Sequence, residues 1–272
     1  MISRDPVVID LNADMGEMAA LVADGTEAAI MDCLTSVNVA CGAHAGDPAT
    51  MQATVRAARA RGLSIGAHPG YPDPENFGRR PLRLPLATVA ASVAEQVARL
   101  DALLTREGGS LTHVKPHGAL YNQAAADEAL AEAIARGVAD ALGARAAGML
   151  LVGLAGSTGL DAWERLGFRV APEGFVDRRY EADGSLRSRS LPGALIVDPE
   201  AAATQALALA RDRRVVAHGG TPVDVVATTL CLHGDTPGAA RCAAVVADRL
   251  RAAGVILEGP ARPRARGGDG GL

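Results

Sequence analysis

Short apolar runs alternate along this chain with longer stretches in which hydrophobic residues recur at helical spacing. The apolar runs, interpreted as strands, cover residues 7–11, 36–41, 64–68, 111–115, 149–154, 168–172 and 225–232. Most of them are continuously apolar, which is typical of strands that are buried on both faces of a parallel sheet. The pattern therefore predicts seven strands of a parallel sheet.

The stretches between these runs predict helices, and several carry start and stop signals. Residues 47–62 have Asp47 as N-cap, Pro48 at the first helical position and Gly62 as a stop. Residues 84–109 form a long amphipathic pattern that ends in a pair of glycines. Further helices are predicted over residues 123–142, 157–166, 198–213 and 236–253.

Alternating strands and helices imply right-handed crossovers and leave two architectures, an open doubly wound sheet or a closed barrel. We favour the barrel because polar residues follow many strands and do not gather at one switch point. The predicted α/β fold is a distorted, seven-stranded (β/α) TIM-like barrel that forms one domain over residues 1–258. Residues 177–196 predict a hairpin or an extended loop over the mouth, and residues 259–272 predict a disordered tail.

Composition excludes some classes of function. The chain has 272 residues, is 49% hydrophobic and 3% aromatic, and carries a formal net charge of -4. It shows no basic stripe with interleaved aromatics and no apolar stretch of membrane-spanning length, so we expect neither nucleic acid nor a membrane as partner. The start of the chain lacks the apolar region of a signal peptide, which predicts a cytoplasmic protein with reduced cysteines.

Titratable side chains recur where the predicted strands end. Five of the six histidines do so, namely His44, His68, His113, His117 and His233. The first strand is followed by another polar group, Asp10, Asn12, Asp14 and Glu17. In a parallel barrel such strand ends share one mouth, where active sites lie. Each residue alone fits a strand cap or a helix cap equally well, but repetition across strands favours a shared site.

Three of these residues form a chemically coherent set. Asp14, His44 and His68 are suited to bind a divalent metal ion with open coordination positions. They are equally suited to transfer protons without a metal. The sequence holds no compact signature such as HExxH, so both interpretations stay open.

Lys115 lies in an otherwise apolar strand, where it must face a polar lumen or pair with an acid. There it can hold a phosphate or a carboxylate, or polarise a carbonyl, and the alternative is a buried ion pair. We expect Lys115→Ala to abolish most turnover and to leave the fold intact. His117, Tyr121 and Asn122 follow on the next turn.

Several arginines are candidates for binding an anionic substrate. Arg79 and Arg80 follow the third strand and are suited to bidentate contacts, although an arginine pair on a solvated loop is common. The segment 177–196 adds weaker candidates, Arg178, Arg179 and Arg189. After the last strand, Asp235 either orients His233 or caps the next helix.

Seven strings in this order resemble the LamB/YcsF family: DLNADMGE, VNVACGAHAGDP, GAHPGYPD, FGRR, VKPHGALYN, GFVDRRYEADGSL and CLHGDTP. Each string alone is weak evidence for the family. Together, in this order, they span residues 7–258 and make the resemblance specific. The resemblance implies a barrel of the glycoside hydrolase/deacetylase type and a role as the A subunit of a prokaryotic 5-oxoprolinase. It also implies partner subunits B and C, and conversion of 5-oxo-L-proline to L-glutamate with hydrolysis of ATP as its Mg²⁺ complex.

On this basis we predict roles for eleven side chains. The predicted catalytic residues are Asp14, His44, His68, Lys115 and His117, and the predicted substrate-binding residues are Asn12, Arg79, Arg80, Tyr121, Asn122 and His233. Asp14, His44 and His68 occupy strand-end positions comparable to those of the acid and two histidines that hold the metal of deacetylases. Two other functions fit the same residues, a metal-dependent amide or sugar deacetylase and a substrate-binding subunit without catalysis.

Overall fold

The computed structural model describes residues 6–236 and 238–260. Its strands are β1 (Val8–Met15), β2 (Ser36–Ala40), β3 (Ser64–His68), β4 (His113–Val114), β5 (Leu150–Leu154), β6 (Arg169–Phe175), β7 (Arg214–Val216), β8 (Pro222–Asp224), β9 (Thr229–His233) and β10 (Ile256–Leu257). Strands β1 to β6 pair in chain order, all parallel, and β9 pairs with both β6 and β1. This closes a seven-stranded parallel barrel, so the predicted fold is confirmed.

The other three strands lie outside the closed ring. Strands β7 and β8 form an antiparallel hairpin, and β10 adds to the start of β1. The sequence pattern did not predict them, because strands of two or three residues are too short to show a period. The prediction for β6 stopped at residue 172, but the strand continues to Phe175. The three additional strand residues include Glu173.

The helices connect successive strands and pack on the outside of the barrel. They are α1 (Ala19–Ala23), α2 (Thr26–Met31), α3 (Pro48–Ala60), α4 (Leu86–Arg106), α5 (Gly118–Ala124), α6 (Glu128–Leu142), α7 (Thr158–Arg165), α8 (Pro199–Leu207) and α9 (Ala239–Ala252). Helix α3 begins as predicted, since the Asp47 side chain accepts hydrogen bonds from the backbone of Ala49 and Thr50.

The predicted helix over residues 123–142 corresponds to α6 and to the last two residues of α5. The break occurs at Asp127, whose side chain caps α6 by accepting a hydrogen bond from Leu130 N. The short helices α1 and α2 were not predicted, because each spans less than two turns. Among the described residues, no helix combines the length and the apolar character that a membrane crossing requires.

Strand β1 shows how the barrel divides polar from apolar residues. Its alternate residues Leu11, Ala13 and Met15 belong to the hydrophobic core, where the strands meet the helices. Its other residues, Asp10, Asn12 and Asp14, are buried and bond to polar side chains of the neighbouring strands. Because side chains alternate along a strand, the apolar set faces the helices and the polar set faces the lumen. Strand β1 therefore lines the lumen with polar side chains.

The predicted end of the domain lies at the edge of the described residues. Gly259 and Pro260 are described, and residues 261–272 are outside the described part of the chain. The domain boundary at residue 258 and the disordered tail stay predictions.

Candidate functional site

The deepest polar layer of the lumen holds Asp10, which the sequence grouped with the mouth residues. Its carboxylate accepts hydrogen bonds from Thr35 (2.6 Å), Ser36 (2.8 Å) and Thr229 (2.5 Å). Burial raises the pKa of Asp10 above its usual range, although the three hydroxyls oppose the rise. Through these hydrogen bonds, Asp10 links β1 to β2 and to β9. It does not line the cavity at the mouth.

Asn12 occupies the next layer, and both the nitrogen and the oxygen of its side-chain amide already form hydrogen bonds. Its amide nitrogen donates to Glu173 (3.0 Å) and to Thr229 (2.7 Å), and its oxygen accepts from Asn38 (2.8 Å). The structure places Asn12 beneath the cavity and not in its wall, contrary to the predicted contact with substrate. We interpret Asn12 as a residue that positions the groups above it.

His113 also lies deeper than the sequence suggested. It pairs in register with Gly66 of β3, where a Cβ atom would lie 2.2 Å from the imidazole ring. Its nitrogens lie 2.8 Å from Asn38 Oδ1 and 2.8 Å from Thr112 Oγ1. The strand period gives the face on which a residue lies but not its depth along the lumen, so His113 was wrongly placed at the mouth.

The buried His113 makes stability depend on pH. Burial lowers its pKa from 6.5 to about 3, so between these values the unfolded chain binds more protons than the folded chain. This group's contribution to stability should therefore be complete above pH 6.5 and be lost as the pH falls toward 3, by about 1.4 kcal/mol per pH unit. Denaturant unfolding of His113→Gln should show a correspondingly shallower pH slope. The exposed His218→Gln is the control, and equal slopes in all three proteins would contradict the assignment.

Lys115 directly follows β4 and is held between two carboxylates. Its ammonium lies 3.0 Å from Asp14 Oδ1 and 2.9 Å from Glu173 Oε1, with the side chain 3% exposed. Burial alone would lower the pKa of Lys115, but Asp14, Cys231 and Glu173 outweigh it and raise the pKa well above its usual range. Lys115 is thus a cation in a buried ion pair at the cavity wall. Its removal would leave two buried charges unpaired, so Lys115→Ala is no longer expected to leave the fold intact.

Glu173 was missed by the sequence analysis. It is fully buried on β6, and its carboxylate contacts both Lys115 and Asn12. The predicted strand ended one residue before it. An acid between the apolar residues of VAPEGFV is the signal that could have revealed it.

Asp14 is a carboxylate at the junction of the lysine and the histidines. Its Oδ1 accepts from Lys115 (3.0 Å) and Asn38 (2.9 Å), and its Oδ2 lies 3.2 Å from His68 Nε2. Burial would raise the pKa of Asp14, but the charges of His68 and Lys115 hold it well below its usual range. A carboxylate fixed beside an imidazole is suited to take a proton from water or substrate.

Glu17 and three histidines form a cluster at the ends of four consecutive strands. Glu17 follows β1, His44 follows β2, His68 ends β3 and His117 follows β4. Glu17 Oε1 lies 3.2 Å from His44 Nε2 and 3.0 Å from His117 Nδ1, and His117 Nδ1 lies 2.9 Å from His68 Nε2. The rings of His44 and His117 stack with centroids 3.8 Å apart.

Burial sets the protonation of this cluster. It lowers the pKa of His44 to about 4 and also lowers that of His117. The pKa of Glu17 is held below its usual range, because its contacts with the His117 and His44 imidazoles outweigh the effect of burial. At neutral pH, Glu17 is therefore charged and both imidazoles are neutral.

His233 is oriented by Asp177 and not by Asp235, one of the two roles that the sequence left open for Asp235. Its Nδ1 lies 3.0 Å from both Asp177 oxygens, and its backbone N–H donates to Asp177 (2.8 Å). Asp235 instead accepts from Arg79 (2.5 Å) and Arg189 (3.3 Å). The acid that contacts His233 is 56 residues away in sequence, and the N-cap of α9 is Gly238, so neither role considered for Asp235 is observed.

A cavity of about 600 Å³ opens above these groups at the mouth of the barrel. It brings together eight of the predicted site residues, namely Asp14, His68, Arg79, Lys115, His117, Tyr121, Asn122 and His233. His44 lies just behind the wall, against Glu17 and the ring of His117. The segment 177–196 contributes to the wall and is partly hairpin-like, with antiparallel bridges at Arg178–Leu195 and Tyr180–Leu186.

The arginines differ in what they can offer a ligand. Arg80 is not part of the cavity wall, since its side chain is 63% exposed and lies 3.6 Å from Asp73. Arg80 is therefore not placed to contact a substrate in this cavity, contrary to the prediction. Arg79 and Arg189 line the cavity but share Asp235. Arg178, a weaker candidate from sequence, is buried in the wall and its Nε has no hydrogen-bond partner among the described residues.

Comparison with known proteins agrees with this architecture. The model of the LamB/YcsF family matches residues 9–265. A protein from Chloroflexus aggregans, named as the A subunit of 5-oxoprolinase, is 49% identical over 252 residues, which are 93% of this chain and 98% of that protein. A protein of the same name from Geobacillus kaustophilus is 48% identical over 258 residues, which are 95% of this chain and 99% of that protein.

A solved structure shares the fold along nearly the full length. The crystal structure of Lactam Utilization Protein from Thermus thermophilus aligns with a TM-score of 0.84 and 42% sequence identity. The alignment covers 92% of this chain and 99% of that one. By sequence and by fold, the chain belongs to the LamB/YcsF family.

Proposed function

We propose that this chain is the A subunit of a 5-oxoprolinase and that it works with subunits B and C to convert 5-oxo-L-proline to L-glutamate at the expense of ATP. The names of its relatives support the 5-oxoprolinase role. The chemistry of the cavity supports a catalytic and not a passive role. Charged and titratable groups from most of the strand ends meet there, an arrangement typical of active sites.

One observation carries the proposal: the same cavity wall holds a group that can bind a carboxylate and groups that can act on a carbonyl. The first is the guanidinium of Arg178, whose Nε has no hydrogen-bond partner among the described residues. The others are Asp14, His68 and Lys115. 5-Oxo-L-proline carries a carboxylate and a lactam carbonyl on a small ring. We infer that Arg178 binds the carboxylate and that the lactam lies against Asp14, His68 and Lys115.

ATP is needed because amide resonance makes the lactam carbonyl a poor electrophile. We infer that the γ-phosphoryl group of Mg²⁺–ATP is transferred to the lactam oxygen, with release of ADP. Water then adds to the ring carbon, the ring C–N bond breaks, and the amine takes up a proton. A second water converts the resulting acyl phosphate to L-glutamate and phosphate.

The residues of the cavity fit these steps. Asp14 is the group that accepts a proton from the attacking water. Lys115 offers positive charge to the developing oxyanion or phosphate. His233, oriented by Asp177, is placed to protonate the departing amine. Tyr121 and Asn122 complete the wall around the ring.

Arg178 should determine affinity for the substrate. Replacing it with methionine removes one charged hydrogen bond to the carboxylate, worth about 1.5–3 kcal/mol, so KM for 5-oxo-L-proline should rise about tenfold to a hundredfold. Steady-state kinetics of the assembled complex measures this. Arg80→Met is the matched control, because Arg80 lies outside the cavity wall. Equal KM values for the two variants would contradict the assignment.

The proposed function is tested by co-expressing the chain with subunits B and C and assaying L-glutamate release. We expect release that requires both ATP and this chain. Hydrolysis of amides or acetylated sugars without ATP would instead indicate the deacetylase alternative. Full activity with Asp14→Asn would indicate a subunit that only binds substrate.

A further inference from the structure

The cluster of Glu17, His44, His68 and His117 has the hydrogen-bond pattern of a metal site. His68 Nδ1 lies 2.8 Å from the carbonyl oxygen of Lys115, and His117 Nε2 lies 2.9 Å from the carbonyl oxygen of Phe77. A carbonyl oxygen only accepts hydrogen bonds, so both of these ring nitrogens must carry protons. A ring that holds a single proton carries a lone pair on the opposite nitrogen.

Those lone pairs face each other and a carboxylate. His68 Nε2 and His117 Nδ1 are 2.9 Å apart, and Glu17 Oε1 lies 3.7 Å from the first and 3.0 Å from the second. Three acceptor atoms at such distances repel one another unless a proton or a metal ion lies among them. Outer hydrogen bonds to backbone carbonyls are also the arrangement by which proteins fix metal-bound imidazoles.

The spacing of the donor atoms fits a small tetrahedral ion. One donor atom from each of the four residues lies within 4.8 Å of all the others. Donors placed tetrahedrally at the usual zinc distances are about 3.3–3.5 Å apart. The distances that involve Glu17 Oε1 are 3.0, 3.2 and 3.7 Å. These three distances bracket the tetrahedral spacing.

We propose that Glu17, His44, His68 and His117 bind one divalent transition-metal ion of the zinc type. Three imidazoles and one carboxylate favour such an ion over Mg²⁺ or Ca²⁺, which prefer oxygen ligands. The donor set differs from the predicted Asp14, His44 and His68, since Asp14 is engaged by Lys115 and Asn38. A bound ion there would supply Lewis-acid character at the wall of the cavity.

Direct binding measurements on the full-length chain without an affinity tag test the site. After dialysis against a chelator, titration calorimetry with Zn²⁺ should give one ion per chain with a Kd in the micromolar range or below. Co²⁺ should bind at the same stoichiometry and show the intense visible absorption of tetrahedral cobalt. This inference does not rest on the proposed function, because neither readout involves turnover.

Substitutions inside and outside the cluster test where the ion binds. His44→Ala, His117→Ala and Glu17→Gln should each weaken binding at least about a hundredfold, since loss of even a group that only hydrogen-bonds to a metal ligand costs about 10–100-fold. His113→Asn, a buried imidazole outside the cluster, and the exposed His218→Ala should bind like the unmodified chain. Far-UV circular dichroism of the metal-free variants checks folding.

Two results would overturn the site. One is a Kd for Zn²⁺ weaker than about 1 mM in the unmodified chain, with no rise in its Tm on adding Zn²⁺. The other is unchanged affinity in the cluster variants, which would place the ion elsewhere. If a cluster variant does not fold, the calorimetry, the cobalt spectrum and the Tm shift of the unmodified chain still decide the question.

Discussion

Replacing Lys115 with methionine should lower the free energy of unfolding by about 3–5 kcal/mol, the usual cost of breaking a buried ion pair. The ammonium lies between Asp14 and Glu173 at 3.0 and 2.9 Å, and all three groups are buried. Methionine fills similar volume but leaves two carboxylates without a counter-charge. Turnover should fall at least about a hundredfold as well, because the cavity loses its buried cation. Denaturant unfolding and L-glutamate release by the assembled complex measure the two effects.

A second substitution separates stability from catalysis. Adding Glu173→Gln to Lys115→Met removes one of the unpaired charges, so the double variant should regain part of the lost stability. It should not regain turnover, because the cation is still missing. Unfolding of Lys115→Met that matches the unmodified chain would contradict the ion-pair account. Recovery of turnover in the double variant would contradict the catalytic role.

Asp14→Asn should reduce turnover by about a hundredfold to ten-thousandfold, the usual range for loss of a general base. The fold should be retained, since the asparagine oxygen can still accept from Lys115 and Asn38. In the unmodified chain these two contacts of Asp14 Oδ1 are 3.0 Å and 2.9 Å long. The kcat of the assembled complex is the quantity to measure.

The matched control for Asp14→Asn is Asp73→Asn. Asp73 is also buried, but it lies outside the cavity wall and beside Arg80. That variant should keep normal turnover. A kcat for Asp14→Asn within tenfold of the control would remove Asp14 from the mechanism.

The sequence predicted the barrel and the meeting of its strand ends because both depend on regular periods. Apolar runs located the seven barrel strands, and polar residues just after them located Asp14, His44, His68 and His117. Parallel strands of one barrel bring such residues to one end without further information. Contacts that depend only on this rule were therefore predictable.

Three features of the side chains were not predictable in the same way: their depth in the lumen, the direction in which they point, and their partners from distant parts of the sequence. His113 and Asp10 face the lumen as their strands require, but they lie below the cavity. Arg79 and Arg80 are neighbours on one loop, and only Arg79 reaches the cavity. Such differences follow from loop geometry and long-range packing, which periodicity does not encode.

The structure of the assembled complex with 5-oxo-L-proline bound tests the central claim most directly, namely that ring opening occurs in the cavity of this chain. We expect the ligand in this cavity, with its carboxylate within hydrogen-bond distance of Arg178 and its lactam carbonyl facing Asp14 and Lys115. A ligand bound only to a partner protein, or one whose lactam points away from Asp14 and Lys115, would contradict the account.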